Sequence, residues 1–231
     1  MSDSELLSQA HIVTVLAATP LFAALSPPLL EALAAVAEQA HYDPHHVVFL
    51  AGTPDDNLYV IADGWVKAFR STPEGREQTL ALFGPGEVFN LAILANVPTQ
   101  VTVIALEPVT LWRLSRTHMA ALLAIHPELI QVFIRGMATC TIRLSKLVED
   151  LALRPVEVRL ARLLLQREHG DEVVRQHWAT QAELAAQIGT VPDVLNRILR
   201  AFVADQLIVV ERKRIRILDH AGLVTRAQFS T

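Results

Sequence analysis

The chain has 231 residues, 52 % of them hydrophobic and 19 % charged, with a formal net charge of −4. That length and apolar content allow two domains with a core each, and the single cysteine, Cys140, excludes an internal disulfide, a four-thiolate iron–sulfur cluster and a zinc knuckle of its own. The opening MSDSELLSQAHIVTV carries acids and no basic n-region, and no stretch of about 20 residues is free of polar groups, so the expectation is a cytoplasmic protein with neither signal peptide nor membrane partner.

Residues 5–40 read as helical, with a break at Ser26–Pro28 that opens a new helix. From His41 to Leu114 the texture changes to short runs such as HVVFL, NLYVIA, WVKAFR, QTLALF and VTLWRL, punctuated by Gly, Pro, Asp and Asn. That pattern predicts a β-sandwich or roll, with PEG (Pro73–Gly75) as a hairpin turn.

After Arg116 the helical period returns. Ile130, Phe133, Met137, Cys140, Leu144, Leu147 and Leu151 step by three and four, an a/d seam that fits either a parallel two-stranded dimer or a helix buried against its own domain. Pro155 interrupts the pattern and marks a domain boundary. A helix over Val156–Gln166 follows, then TQAELAAQIGTVPDVLNRIL. There Thr180 and Glu183 have capping-box spacing, Gly189 suits a left-handed helix end and Pro192 suits the first turn of the next helix. In that second helix Leu195, Ile198, Leu199 and Phe202 form one stripe, while Asp193, Asn196, Arg197 and Arg200 form another. The hairpin LIVVERKRIRIL closes the pattern. Residues 1–149 hold 8 basic and 14 acidic side chains against 12 and 10 in residues 150–231, so the basic surplus lies with the helix pair.

The ordered set of AGTPDDNLYVIADGWVKAF, EGREQTLALFGPGEVF, LSKLVEDLALRPVEVRLARLLL and TQAELAAQIGTVPDVLNRILRAFVADQLI resembles the Crp/Fnr family of bacterial transcription regulators over nearly the whole chain. The resemblance implies an α+β protein. A cyclic-nucleotide-binding-like double-stranded β-helix or jelly-roll with flanking helices would span 1–116, a long dimerisation helix 117–152 and a winged helix-turn-helix 153–231. It further implies a homodimer on a double-stranded DNA operator, with recognition helices in successive major grooves, and RNA polymerase touching the Glu74–Gln78 hairpin. The family's base-reading positions fall on Pro192, Asp193, Asn196 and Arg197. Asp193 would accept from cytosine, Asn196 would pair with adenine and Arg197 with guanine. Pro192 cannot replace the family's charged first reader. Thr180, Gln181, Arg200, Arg212 and Lys213 are assigned to phosphates.

Family members that bind cyclic AMP hold it with a Glu and an Arg about ten residues apart. Here Leu91 and Val101, beside Gln100, take those places, and on the dimer helix Leu144 replaces a hydroxyl that Ser145 follows. Cyclic AMP is thus disfavoured, and the effector pocket is expected at Phe89, Asn90, Leu91, Gln100, Val101, Leu144 and Ser145. The apolar wall Phe89, Leu91, Ile93, Leu94, Val97, Val101 and Val103 resembles the heme-dependent nitric-oxide sensors of denitrification more than the cyclic AMP receptor protein. His11, His41, His45, His46, His118 and His126 would be the candidate heme ligands. The alternative is a filled pocket, or an apolar or 2-oxo-acid effector, so the cofactor stays unknown.

Two other functions compete. A cupin-like metalloenzyme needs His-x-His on a strand, whereas His45 and His46 are adjacent and would point to opposite faces. No nucleophile–base pair or phosphate-cradling glycine loop appears, so the expectation is no enzyme. A ligand-binding module with a non-functional helix-turn-helix would be signalled by Pro192.

Overall fold

The structure is a computed structural model that describes residues 3–95, 97–168, 170, 172–174 and 176–228. It forms two compact units, Met1–Arg70 with Ala81–Arg143, and Ser71–Leu80 with Leu144–Thr231. This division differs from the expected one: the cut falls inside a helix rather than at residues 116 and 153, and a hairpin of the roll counts with the second unit.

Helices α1 (Asp3–Ala18) and α2 (Pro27–Ala35) precede the eight strands of the roll among the described residues. α2 starts at Ser26 with Pro27 in its first turn, as its sequence predicts. The helical expectation fails beyond Ala35, where Ala37–Tyr42 is strand β1, an edge strand paired antiparallel with β8 (Val109–Ser115). One sheet has the order β1-β8-β3-β6, with β3 at Asn57–Asp63 and β6 at Val88–Phe89. The other has the order β2-β7-β4-β5, with β2 at Val47–Phe49, β7 at Thr102–Ala105, β4 at Val66–Ser71 and β5 at Glu77–Phe83. The β4–β5 turn is the expected one: Gly75 sits at φ +81°, and its N–H donates to Thr72 O at 2.9 Å.

Alternation along β3 explains its unbroken apolar run. Tyr59 and Ile61 point between the sheets, into a cluster with Phe49, Val66, Ala68, Phe89, Val103 and Leu111. Leu58 and Val60 point the other way, into a second core shared with Leu16, Phe22, Leu33, Trp112 and Met119. Both faces are covered, so both registers are apolar.

Residues 117–152 do not form one helix. α3 (Arg116–Ile125) ends at His126, and α4 (Leu129–Leu153) begins after Pro127, whose ring and missing N–H break the helical ladder. Leu129, Val132 and Phe133 of α4 join the first unit's second core. Gly136 lets that face pack closely: a Cβ there would lie 2.7 Å from Leu91 Cδ1, so the leucine would have to shift. No helix among the described residues is long and apolar enough to cross a membrane.

The second unit holds the end of α4 and then α5 (Val156–Gln166), matching its expected bounds. It continues through β9 (Glu172–Val174), α6 (Gln181–Gln187), α7 (Pro192–Ala204), β10 (Ile208–Val210), β11 (Arg214–Ile217) and α8 (His220–Ala227). Its core gathers Leu160, Leu164, Leu184, Leu195, Phe202, Ile208, Ile217 and Leu223. The wing has three strands in the order β10-β11-β9 rather than the two expected.

Candidate nucleic-acid interface

The α6–turn–α7 motif is built by local chemistry. Thr180 caps α6, its Oγ1 accepting from the Glu183 N–H at 3.2 Å. Gly189 ends the helix at φ +66°, and a Cβ there would lie 2.4 Å from Leu151 Cδ2, 2.7 Å from Gln78 Oε1 and 2.9 Å from an Arg159 guanidinium nitrogen. Only glycine satisfies both the backbone and the space. Val191 then holds the N-cap position of α7 in extended conformation without a side-chain cap, and Pro192 occupies the first turn.

Leu195, Leu199 and Phe202 bury one stripe of α7, with Ile198 packed beside them, as the spacing predicts. The other stripe is presented to solvent: Pro192, Asp193, Arg197 and Arg200 are exposed, and Asn196 is half-buried. No ion pair or hydrogen bond holds the side chains of Asp193, Arg197 and Arg200 among the described residues. Asn196 differs. Its Nδ2 donates to Gln181 Oε1 at 2.8 Å, a link between a base-reading candidate and a phosphate candidate that no spacing rule announces.

The wing repeats this division between held and free cations. Glu211 accepts from Arg214 Nε at 2.7 Å and Arg216 Nε at 2.9 Å, and Glu172 accepts from Arg214 at 2.8 Å. The hydrogen bond from Arg214, reinforced by both charges, holds the Glu211 carboxyl below the ordinary carboxylate range. Arg212 and Lys213 at the hairpin tip stay exposed. Inside the unit, Arg167 donates to Gln187 at 2.7 Å, and burial pushes its guanidinium below its ordinary value.

The expected effector wall is not one surface. Phe89 points into the roll, its ring 4.8 Å from Tyr59 and 5.5 Å from Phe83, with Val103 in the same cluster and Val101 packed against it. Ile93 and Leu91 turn to the opposite core, because a 3-10 helix over Leu91–Ala95 follows β6 at once. Leu94 and Val97 are exposed. Asn90, at φ +62°, donates to Asp55 Oδ1 at 3.0 Å and Asn57 O at 2.8 Å, while Tyr59 Oη donates to Asp55 Oδ2 at 2.9 Å. Burial, then the Asp55 charge, raises the Tyr59 hydroxyl above its ordinary value. Gln100 is exposed, its amide donating to Pro98 O at 3.0 Å. Leu144 and Ser145 are exposed on α4 in the second unit.

The histidines are equally scattered. His11 lies near Trp112 at 6.4 Å between ring centres, His41 Nδ1 is 3.1 Å from Thr110 Oγ1, His46 is 3.9 Å from Asp43 and His126 is 3.4 Å from Glu128. His45, at φ +67°, and His118 are exposed. Among the described residues no three His, Cys, Asp or Glu side chains converge into a metal site.

Along the expected dimer seam, exposure does not follow the predicted register. Phe133 is 8 % exposed and belongs to its own unit's core, and Leu147 is half-buried. The open apolar stripe is Ile130, Ile134, Met137, Leu144 and Val148, all more than 40 % exposed, with Thr141 in step and Cys140 exposed beside it.

A β-roll followed by a winged helix-turn-helix with an exposed polar stripe defines a DNA-binding regulator with a sensor-type domain. Comparison with known proteins agrees: residues 39–126 match the cyclic nucleotide-binding domain and residues 158–226 the Crp-like helix-turn-helix domain. The HTH-type transcriptional regulator Cmr of Mycobacterium tuberculosis is 30 % identical over 86 % of this chain and 80 % of its own length. The CRP-like cAMP-activated global transcriptional regulator of the same organism is 29 % identical over 93 % of this chain and 99 % of its own. The solved structure of FixK2 from Bradyrhizobium japonicum superposes with a TM-score of 0.75 over 85 % of this chain and 100 % of its own, at 15 % identity, a likeness of fold. The chain belongs to the Crp/Fnr family of transcription regulators, and it is a regulator rather than an enzyme.

Proposed function

We propose that the chain acts in the cytoplasm as a homodimer that binds an operator of two half-sites and, through the exposed Glu74–Arg76 tip of its hairpin, meets RNA polymerase. The observation that carries the reading is the exposed stripe of α7, where Asp193 and Arg197 stand free of ion pairs on a helix fixed by Leu195, Leu199 and Phe202. Fixed helices with uncommitted polar side chains suit base edges, because a group already paired would have to break that pairing to bind. Arg200, Arg212 and Lys213, with the Thr180 hydroxyl, take the phosphates. The α4 stripe from Ile130 to Val148 is the dimer contact, its steps of four and three being those of a two-stranded coil.

Cyclic AMP is disfavoured as an effector. The roll interior is occupied by Phe49, Tyr59, Phe83 and Phe89, and neither Leu91 nor Val101 can offset a buried phosphate. An apolar effector, or none, fits this interior better than an anion does, whether a nucleotide phosphate or the carboxylate of a 2-oxo acid.

The test is binding of the purified chain to a pool of randomised duplexes, followed by anisotropy on the selected operator. Arg197→Ala should lose about 1–3 kcal/mol and relax preference at one base pair. Unchanged affinity and unchanged preference would reject the assignment of α7.

A further inference from the structure

Gln181 and Asn196 belong to different helices of the motif, yet their amides meet. Gln181 opens α6, and Asn196 lies in the second turn of α7. The hydrogen bond between them runs from Asn196 Nδ2 to Gln181 Oε1 at 2.8 Å. An asparagine amide carries two N–H donors and one acceptor oxygen. With one N–H committed to Gln181, a single N–H and Oδ1 are left. That remainder matches the major-groove edge of adenine, where N7 accepts and the N6 amino group donates.

A solitary amide turns about its last bond and presents donor and acceptor in either order. Here reversal of Asn196 alone would set its Oδ1 against Gln181 Oε1, two acceptors at hydrogen-bond distance. Both amides would have to reverse together. Gln181 is exposed and Asn196 half-buried, so the link is a local one at the motif's surface, not part of the core. We infer that Gln181 is a positioning residue for base selection: it fixes the amide of Asn196 in the order that reads adenine at one step of each half-site. The inference rests on the proposed function and replaces the phosphate role that the sequence pattern assigned to Gln181.

The experiment measures binding of the full-length chain to the selected operator with each of the four base pairs at every half-site position. The wild type, Gln181→Ala, Gln181→Glu, Asn196→Ala and the double Ala variant are compared at several salt concentrations. The wild type should favour adenine at the Asn196 step on the order of tenfold. Gln181→Ala should shrink that preference to about twofold while leaving the Arg197 step and the salt slope unchanged, a loss within the range of a single base contact. Gln181→Glu keeps an acceptor at the same place, so it should keep the adenine preference while weakening all duplexes alike. In the Asn196→Ala background, Gln181→Ala should change nothing further.

The inference is overturned if Gln181→Ala weakens every duplex equally, lowers the salt slope by about one and leaves the adenine preference intact, the signature of a phosphate contact. A wild-type preference that does not depend on Asn196 overturns it alone. A wild type with no sequence preference overturns the proposed function as well.

Discussion

The roll and the helix-turn-helix handle their polar groups in opposite ways. In the roll, Asp55 accepts from Tyr59, Asn90 and the Asn57 N–H, so a carboxylate beside the sheet interior is consumed by its own neighbours. On α7, Asp193, Arg197 and Arg200 have no such partners among the described residues, although the helix beneath them is as tightly packed. Asp55 has spent its accepting capacity on its neighbours, whereas the α7 stripe holds the polar groups of Asp193, Arg197 and Arg200 in reserve. A surface that recognises a polar polymer needs the second arrangement, whereas an interior closed by aromatic rings needs the first.

Three measurements would break or sharpen that contrast. The largest effect belongs to the α7 foundation: Phe202→Ala should destabilise the second unit by about 3–5 kcal/mol in chemical denaturation, and duplex binding should fall with it. Binding that survives such a loss would mean the stripe does not depend on its packing. Next is Asn90→Ala, which removes the two hydrogen bonds that the Asn90 amide donates in the roll's network and should lower stability by about 1–3 kcal/mol with operator preference unaltered. A change of preference instead would show that the network serves the output. Smallest is the pH response of the wing. Glu211 has a lowered folded value, so its contribution is complete above the usual carboxylate range and is lost as pH falls through that lowered value. Methyl signals of Ile215 and Ile217 should shift across this acid range, and Glu211→Gln should remove the step.

Much of the second unit was legible because its signals are local. Thr180, Gly189 and Pro192 each dictate a backbone state by themselves, and the structure places all three as their chemistry requires. The roll's strands were legible as a class through their turns, but β1 was not. Its AEQAHY sequence carries no apolar alternation, because an edge strand with mostly exposed side chains needs none. The seam register was undecidable in sequence for a different reason. Ile130, Met137, Leu144 and Leu151 serve two interleaved ladders equally, and only tertiary packing of Phe133 excludes one. The apolar wall failed because neighbours in sequence, Phe89 and Leu91, separate into two cores across a single turn of backbone. Pairing of Gln181 with Asn196 spans 15 residues and has no periodic signature.

Pro192 bears on the thermodynamics of recognition as well as on the helix start. Its ring presets φ in the unfolded chain and in the free protein alike, so in the proposed complex the first turn of α7 would meet the groove with little freedom left to lose. The same ring removes an N–H that a helix N-terminus would offer to a phosphate. The exchange trades one backbone contact for lower ordering entropy, which predicts that this regulator discriminates among bases from a stiff, preorganised helix end rather than by folding onto its operator.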